Sequence, residues 1–380
     1  MPLKILYIGH TYTVRANHAK IAALARLPNT EITLVTPHAW RGPLYDNDTE
    51  LFDTTTTKNV KHEIVKAYFI GREGAYIYSP SLFRLIARLK PDIVHVEQGT
   101  YAVSYSQILL GLRLFSRCSK ALFFTWWNLP YRPKGIKRIL ERFNLAHSSA
   151  AIAGNIAARE ILQSHGFTRP IHALPQLGID AREYRPNIEG KKHERPNMFW
   201  VGYAGRIVKE KGVLDLIEAV AQMKAKNNVQ LYFVGAGDTL EEAKRLAAYR
   251  GVNLVHHPPV RNEELPGHLL MMDVLVLPSR TTPGWVEQFG HILLEAMAVG
   301  VPVVGSSSGE IPNVIEDAGY VFPEGDSGAL AERLDLLFAN EEERQRLSRA
   351  GISRVAEHFT HDIIAAKQMS IYEEVLRNRP

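Results

Sequence analysis

The sequence has a single cysteine, Cys118, among its 380 residues. One cysteine excludes internal disulfides and metal sites built from several thiolates, and it fits a reducing compartment. Long apolar stretches are missing as well, because no run reaches the roughly 18 apolar residues of a membrane-spanning helix. The opening MPLKILYIGH lacks the apolar region and cleavage site of a signal peptide. We therefore expect no membrane span, and we expect the first residues to form a buried strand.

Acidic residues are scarce in the first half of the chain, which leaves a strong charge asymmetry. Residues 1–180 contain 22 lysines and arginines against 12 acids, whereas residues 181–380 contain 23 against 28. Within 113–142 there are eight basic residues and one acid, Glu141. Such a segment suits an anionic membrane face, a phosphorylated acceptor or nucleic acid, and it is equally typical of a solvated helix face.

Short apolar runs alternate with helical patterns along the whole chain. Twelve runs are predicted to be strands, at residues 4–9, 31–36, 92–97, 121–126, 149–154, 171–175, 199–205, 229–235, 252–257, 273–279, 301–306 and 319–323. Helical periodicity between them, as in HAKIAALARL and LDLIEAVAQMKA, indicates parallel sheets with helices on both faces. The alternation occurs twice, so the sequence predicts an α/β protein with two doubly wound, Rossmann-like domains that face a central cleft.

The segment at 180–197 is polar, rich in proline and charge, and has the composition of a linker. We therefore place the first domain at 1–185 and the second at 186–360. A last helical pattern, within 361–380, follows the second predicted sheet. We expect this helix to pack back on the first domain.

Two cations follow the first strand of the second domain, in the segment AGRIVKEKG. Gly205 ends the strand and lets the backbone approach a ligand. Arg206 and Lys211 lie at the carboxyl edge of the strand, just before a helix that begins near Val213. Two cations beside a helix N-terminus suit a diphosphate. A charged surface turn is the alternative, and this segment alone does not exclude it.

Two acids eight residues apart frame a predicted helix start in the stretch EQFGHILLEA. The first-turn amides of His291, Ile292 and Leu293 would be unpaired and, aided by the helix dipole, suit a phosphate. Glu287 precedes the turn and could accept a sugar hydroxyl. Glu295 lies on the helix and could accept from the ribose hydroxyls. Apolar neighbours on both sides make a solvated position for Glu295 the weaker alternative.

Two further loops of the second domain are weaker candidates. FVGAGD at 233–238 is a glycine-rich turn after a strand, and such turns are common. HHPPV at 256–260 would form a stiff apolar rim in which the backbone of Val260 could read the edge of a base. A plain loop explains the second segment at least as well.

Together these segments resemble the retaining, nucleotide-sugar-dependent glycosyltransferases of family four, which have the two-domain GT-B fold. The matching segments are GRIVKEKG at 205–212, DVLVLPS at 273–279, the two acids eight residues apart, EAMAVGVPVV at 295–304 and GEIPNVI at 309–315. The resemblance implies diphosphate contact for Arg206 and Lys211, donor-sugar contact for Glu287, Phe289, Gly290 and His291, phosphate contact for the amides of Ile292 and Leu293, and ribose contact for Glu295.

The first domain departs from the family pattern. A second glycine is missing after the first strand, where the chain reads GHTYT. Glu97 stands where many members have a second histidine. Trp127 and Asn128 occupy the region where many members have a histidine near the reacting sugar. These three residues are our candidates for the acceptor side.

The resemblance implies transfer of a sugar, with retention, from a nucleoside diphosphate sugar to a hydroxyl of a glycan or lipid-linked acceptor in polysaccharide or glycolipid biosynthesis. UDP-glucose or a related UDP-hexose is the best guess for the donor. Cations and helix amides would stabilise the departing diphosphate, and Glu287 would position the sugar rather than attack it. The second half has no D-x-D metal clamp, and DND at 46–48 lies in a polar loop of the first half. We therefore expect no metal and no cofactor.

The expected setting is the cytoplasm, with peripheral contact to the inner membrane face through 113–142. Nucleic acid is not an expected partner, because no aromatic-interleaved binding motif accompanies the basic segment. One alternative is a nucleotide-sugar epimerase or a sugar phosphorylase on the same fold, and an epimerase would need an acid–base pair with Glu97 as one half. Another is a sugar-nucleotide-binding module without catalysis.

Overall fold

The computed structural model describes residues 1–42, 46–55, 57–186 and 198–377. The chain divides into two compact units, one of Met1–Gly178 with His361–Pro380 and one of Ile179–Thr360. The division therefore falls earlier than the predicted boundary after residue 185. Ile179 already belongs to the second unit, because it pairs with Thr360 and its amide donates to the Phe359 carbonyl at 2.8 Å. Residues 187–197 of the predicted linker lie outside the described residues.

The first unit is built on a parallel sheet. Its strands are β1 (Leu3–Gly9), β2 (Thr30–Pro37), β3 (Ala39–Arg41), β4 (Asp46–Asp48), β5 (Val60–Val65), β6 (Ala67–Tyr68), β7 (Ile77–Tyr78), β8 (Ile93–Glu97), β9 (Lys120–Thr125), β10 (Ala150–Ala153) and β11 (Ile171–Ala173). Within the described residues the main sheet has the order β11-β10-β9-β8-β1-β2-β5, and β3 with β4 and β6 with β7 form small antiparallel pairs. The helices between the strands are α1 (His18–Arg26), α2 (Ser81–Leu89), α3 (Val103–Phe115), α4 (Ile136–His147) and α5 (Ile156–Ser164).

The first sheet is covered on both faces, as parallel sheets usually are. Successive side chains of β1 alternate between two apolar clusters, with Leu6 and Ile8 in one and Ile5 and Tyr7 in the other. The edge strand β5 was not predicted. Its sequence, VKHEIV, contains charged and polar residues that an edge position tolerates and that hide the strand pattern.

The second unit repeats the architecture with a sheet of parallel strands. Its strands are β12 (Phe199–Ala204), β13 (Val229–Val234), β14 (Leu254–His257), β15 (Val274–Leu277), β16 (Val303–Ser306) and β17 (Gly319–Phe322). Its helices are α6 (Val213–Gln222), α7 (Leu240–Arg250), α8 (Leu265–Leu269), α9 (His291–Ala298), α10 (Ile311–Ile315), α11 (Ser327–Ala339) and α12 (Glu341–His358). The strand order is β14-β13-β12-β15-β16-β17. All twelve predicted strand runs form strands, six in each unit, and the two-domain Rossmann-like fold is confirmed.

The last helix, α13 (His361–Arg377), belongs to the first unit. It packs against α1, where Arg26 and Asp362 form an ion pair at 2.5 Å. It also reaches the sheet, because the Tyr372 hydroxyl lies 2.8 Å from Nδ1 of the buried His95 on β8. Among the described residues, every helix is too short or too polar to span a bilayer.

Candidate donor-binding site

The predicted donor residues lie at the point where the strand order of the second sheet reverses. The chain runs from β12 to β13 and β14 on one side, and then returns to β15, which pairs directly with β12. In open α/β sheets, ligands bind in the crevice beyond the strand ends at this point. Gly205 and Arg206 follow β12, and Ser279 follows β15 by two residues. Local sequence and sheet topology therefore bring the candidates to one edge.

A tight turn carries Lys211 to the end of β15. Gly212 has a φ of +65°, and a Cβ there would lie 1.9 Å from the carbonyl oxygen of Pro278. Only glycine fits this conformation and this close approach. As a result, Nζ of Lys211 lies 2.6 Å from Oε2 of Glu287.

Glu287 is held by two donors on the same carboxylate oxygen. Besides Lys211, the hydroxyl of Ser279 donates to Oε2 at 2.8 Å. The Glu287 side chain is 8% exposed and that of Lys211 is 16% exposed. The backbone approach is also close, since a Cβ at Gly309 would lie 2.0 Å from the Glu287 carbonyl oxygen. The carboxylate is therefore fixed at the rim of the crevice with little freedom to move.

Trp285 covers the lysine from another side. Its ring centroid lies 4.8 Å from Nζ of Lys211, which is the geometry of a cation–π contact. The amides of Thr282 and Trp285 each donate to the other residue's carbonyl, at 2.8 and 3.3 Å. Sequence analysis missed both Trp285 and Ser279. Ser279 could have been suspected, because it ends the matching segment DVLVLPS.

The two arginines near the crevice differ in their engagement. Arg206 is half-exposed, and its nearest described acid is Glu210, at 3.9 Å. Arg280, which sequence analysis did not single out, makes a bidentate pair with Asp215 at 2.5 Å for both contacts. This hydrogen-bonded pairing raises the pKa of Arg280 above its ordinary value. Arg280 thus ties the loop after β15 to helix α6, whereas the guanidinium of Arg206 remains accessible to a ligand.

Helix α9 begins at the same edge. Gly290 caps it with a φ of +85°, and the Leu293 amide donates to the Gly290 carbonyl at 2.9 Å. A phosphate would therefore share the Leu293 donor with that carbonyl, and we expect it to rely more on the other first-turn amides. Phe289 is buried and contacts the His291 ring at 4.9 Å. Burial lowers the pKa of His291 to about 4, against the opposing effect of Glu287, so the imidazole is neutral near pH 7.

Glu295 lies one turn further along α9 and is half-buried. Burial raises its pKa to about 7, although a hydrogen bond from Tyr184 opposes the shift. The Tyr184 hydroxyl donates to Oε1 at 3.3 Å. Tyr184 was not predicted as a site residue, because it lies in the segment that looked like a linker. The raised pKa means that ligand hydroxyls and a proton compete for this carboxylate.

The two weaker loops occupy different positions. The backbone of the 233–238 loop packs on the turn after β12, with hydrogen bonds from Gly205 to Val234 at 2.9 Å and from Ile207 to Ala236 at 2.8 Å. This packing explains the loop structurally. Val260 is half-buried beyond the end of β14, next to two exposed prolines. Its role in reading a base stays a prediction.

Glu97, the acceptor-side candidate on β8, lies inside the first unit. It accepts hydrogen bonds from Tyr7 at 2.5 Å, Tyr12 at 2.8 Å, Lys20 at 3.0 Å and Gln176 at 2.5 Å. Burial favours a raised pKa, but Lys20, His95 and the hydrogen bonds outweigh it and hold the pKa of Glu97 below its ordinary value. Its side chain is 1% exposed, so the geometry indicates a structural role.

The other two acceptor-side candidates follow β9. Trp127 is 46% exposed, and its indole N–H donates to the Leu129 carbonyl at 2.6 Å. Asn128 is buried. The Trp127 side chain is therefore accessible to a ligand, whereas that of Asn128 is largely covered by the protein.

The described residues offer no cluster of three or more histidine, cysteine or acidic side chains suited to a metal ion. The DND segment forms β4, where Asp48 accepts from Arg41 at 2.6 Å.

Residues 185–354 match the family described as glycosyl transferases group 1. The match covers α9 and every donor-side candidate. The two units are the two Rossmann-like domains of a GT-B fold. A crystal structure of Anabaena Alr3699/HepE in complex with UDP aligns with 98% of this chain and 100% of its own, with a TM-score of 0.71 and 16% identity.

Two relatives of named activity match this chain over only part of their own length. An MMP alpha-(1->4)-mannosyltransferase from Mycolicibacterium hassiacum is 28% identical over 66% of this chain and 60% of the relative. The capsular polysaccharide biosynthesis glycosyltransferase CapM from Staphylococcus aureus is 31% identical over 50% of each chain. The chain thus spans between half and two thirds of the length of these relatives.

Proposed function

We propose that the protein is a retaining glycosyltransferase of family four that moves a hexose from a nucleoside diphosphate sugar to a hydroxyl of a glycan or lipid-linked acceptor. The observation that carries the proposal is the Lys211–Glu287–Ser279 arrangement beside the N-terminus of α9, at the strand-order reversal. The mannosyltransferase and capsular polysaccharide relatives support sugar transfer in polysaccharide or glycolipid biosynthesis. The structure that was solved with UDP shares the fold. We propose a UDP-hexose as the donor substrate.

Charge on the departing diphosphate is the main barrier that such a site must lower. A lysine ammonium has three donors, so Lys211 can keep Glu287 and still donate to a phosphate oxygen. Arg206 supplies a second cation from the neighbouring strand end, and the α9 dipole favours the anion. We propose that these groups act without a metal or other cofactor.

Two carboxylates would orient the sugars on either side of the diphosphate. Glu287, fixed by Lys211 and Ser279, would accept from a hydroxyl of the transferred hexose. Glu295 would accept from the ribose hydroxyls, which requires its ionised form. The departing phosphate would take the acceptor proton, so no side-chain nucleophile is needed.

The first unit would bind the acceptor, and Trp127 is the exposed residue that we propose for this contact. The epimerase alternative is not favoured, because Glu97 is closed off by its own hydrogen bonds. We propose that the protein is cytoplasmic, which is compatible with the exposed free thiol of Cys118. We propose that it acts at the inner face of the membrane.

A thermal-shift screen tests the proposal. Uridine, guanosine and adenosine diphosphates and their hexose conjugates are each added to the whole protein, and the best donor is then incubated with glycan and lipid-linked acceptors. We expect one diphosphate series to raise Tm and the product to keep the anomeric configuration of the donor. Epimerised or phosphorolysed donor would contradict transfer, and no shift with any nucleotide would contradict the site.

A further inference from the structure

Two isoleucines project from the first turns of α4 on the surface of the first unit. Ile136 is 65% exposed and Ile139 is 64% exposed. Residues three apart share a helix face, and the buried Glu141 and Asn144 mark the opposite face of this helix. Single exposed apolar residues are ordinary, and a pair on one face becomes informative through the side chains that surround it.

Basic side chains surround this pair. Those in and around the first two turns are all exposed, and none has an ion pair within the described ranges: Arg132, Lys134, Lys137, Arg138 and Arg142. The nearby acid, Glu141, does not neutralise them at the surface. It is 5% exposed and accepts from the hydroxyls of Thr100 and Tyr131, both at 2.6 Å.

Aromatic residues lie next to the same helix start. Nζ of Lys137 lies 5.1 Å from the Tyr101 ring centroid. The Tyr131 ring contacts Tyr101 at 5.8 Å and the half-exposed Trp127 at 5.9 Å. Tryptophan and tyrosine are enriched where a protein meets the membrane interface, since their rings are apolar with one polar group.

We propose that the first turns of α4 dock the protein on an anionic lipid bilayer, with Ile136 and Ile139 entering the interfacial layer and the surrounding cations meeting the head groups. An apolar stripe flanked by lysine and arginine binds such a surface in two ways, by burial of its apolar side chains and by electrostatic attraction to the anionic head groups. A soluble polyanion would match the cations and leave the isoleucines without a partner. The proposal deepens the proposed function, on which it rests for the lipid-linked acceptor, and it places Trp127 beside the docked turn.

A second exposed apolar pair lies on α3, where the basic segment begins, and provides a matched control. Leu110 and Leu114 are 46% and 57% exposed. Their basic neighbours already make hydrogen bonds within the protein. Arg113 lies 2.5 Å from His147 Nε2, and Arg117 donates to the Arg113 carbonyl at 3.0 Å. We therefore expect this face to contribute little to docking.

Flotation of the full chain with lipid vesicles tests the proposal. One set of vesicles is phosphatidylcholine, and the other contains equal phosphatidylcholine and phosphatidylglycerol. At low salt the wild type should float only with the anionic set. Ile136→Ser/Ile139→Ser should lower binding about tenfold or more, Lys134→Gln/Lys137→Gln/Arg138→Gln about a hundredfold, and Leu110→Ser/Leu114→Ser should leave it unchanged.

Each variant is also tested for its thermal shift with the best nucleoside diphosphate, which should match the wild type and shows that the variant is folded. Equal flotation of the isoleucine variant and the wild type would overturn insertion. Wild-type binding to neither vesicle set, or equally to both, would overturn the anionic docking surface. If flotation behaves as expected but no nucleotide shifts Tm, the proposed function fails while the docking surface stands.

Discussion

Each unit has a lysine–glutamate pair at the carboxyl edge of its sheet, and the two pairs differ in their surroundings. Lys20 and Glu97 lie 3.0 Å apart, with side chains 2% and 1% exposed. Lys211 and Glu287 lie 2.6 Å apart and are 16% and 8% exposed. The first pair is enclosed by tyrosines and a glutamine, whereas the second stands beside a half-exposed arginine and a helix N-terminus. A closed pair stabilises a fold, while a pair at a crevice rim can still meet a ligand.

The largest expected effect is on stability, at the closed pair. Glu97→Ala would leave the Lys20 ammonium buried without its partner, which costs about 3–5 kcal/mol. Urea unfolding measures this loss. The exposed pair Lys61–Glu31, at 3.3 Å on the same sheet, is the matched control. Glu31→Ala should cost less than about 1 kcal/mol, and equal losses for the two variants would remove the distinction between closed and exposed pairs.

The open pair should behave in the opposite way. Glu287→Ala should lower the rate of sugar transfer on the order of 10³-fold, because one preoriented group at the reacting sugar is lost. Its stability should fall far less than that of Glu97→Ala, since the freed Lys211 can reach solvent. A steady-state assay and urea unfolding of the same preparation give both numbers. Full activity in this variant would refute the role of Glu287.

Lys211→Met should weaken nucleoside diphosphate binding about tenfold to a hundredfold, the value of one charged hydrogen bond. Arg280→Met is the control, because Arg280 is already held by Asp215. Calorimetric titration of both variants measures the difference. Equal affinities of Lys211→Met and the wild type would contradict the diphosphate assignment.

The smallest effect concerns the pH dependence of Glu295. Its pKa is about 7 in the folded protein and ordinary in the unfolded chain, so the folded state binds the extra proton between these values. The stability that this proton provides is complete below the ordinary pKa and is lost as pH rises through about 7. Glu295→Gln should therefore stabilise the protein above pH 7, by about 3 kcal/mol at most, with little gain near the ordinary pKa.

Nucleotide affinity gives the second readout for Glu295. It should rise with pH through about 7 more steeply in the wild type than in Glu295→Gln, because only the ionised carboxylate accepts from both ribose hydroxyls, whereas the terminal phosphate of the nucleotide titrates equally in both. Tm and calorimetry across pH measure the two trends. Parallel affinity profiles for the two proteins would contradict ribose contact.

The fold was predictable where burial leaves a simple pattern. Fully buried strands such as β12 and β15 are continuous apolar runs, and their alternation with helices defines the doubly wound sheets. The pattern fails at β5, whose polar side chains suit a sheet edge. It also misplaces the boundary, because the bridge between Ile179 and Thr360 joins positions far apart in the chain.

The arrangement of the candidate site was predictable to the extent that it is local in sequence. The spacing of Glu287 and Glu295 on either side of the α9 start is a local property. Tyr184 was missed, since its contact with Glu295 spans 111 residues and depends on tertiary structure. Ser279 lies only eight residues before Glu287, but the polar loop between them has no periodicity that indicates their hydrogen bond. Glu97 shows the converse error, because residue type and position at a strand end do not reveal how completely its neighbours enclose it.

Calorimetric titration of the whole protein with the best nucleoside diphosphate, in the presence of EDTA, tests the central claim most directly. If the Lys211–Glu287 crevice holds the diphosphate with protein cations and amides alone, binding should persist in EDTA and weaken in Lys211→Met. Binding that disappears in EDTA, or that is the same in Lys211→Met as in the wild type, would contradict the account.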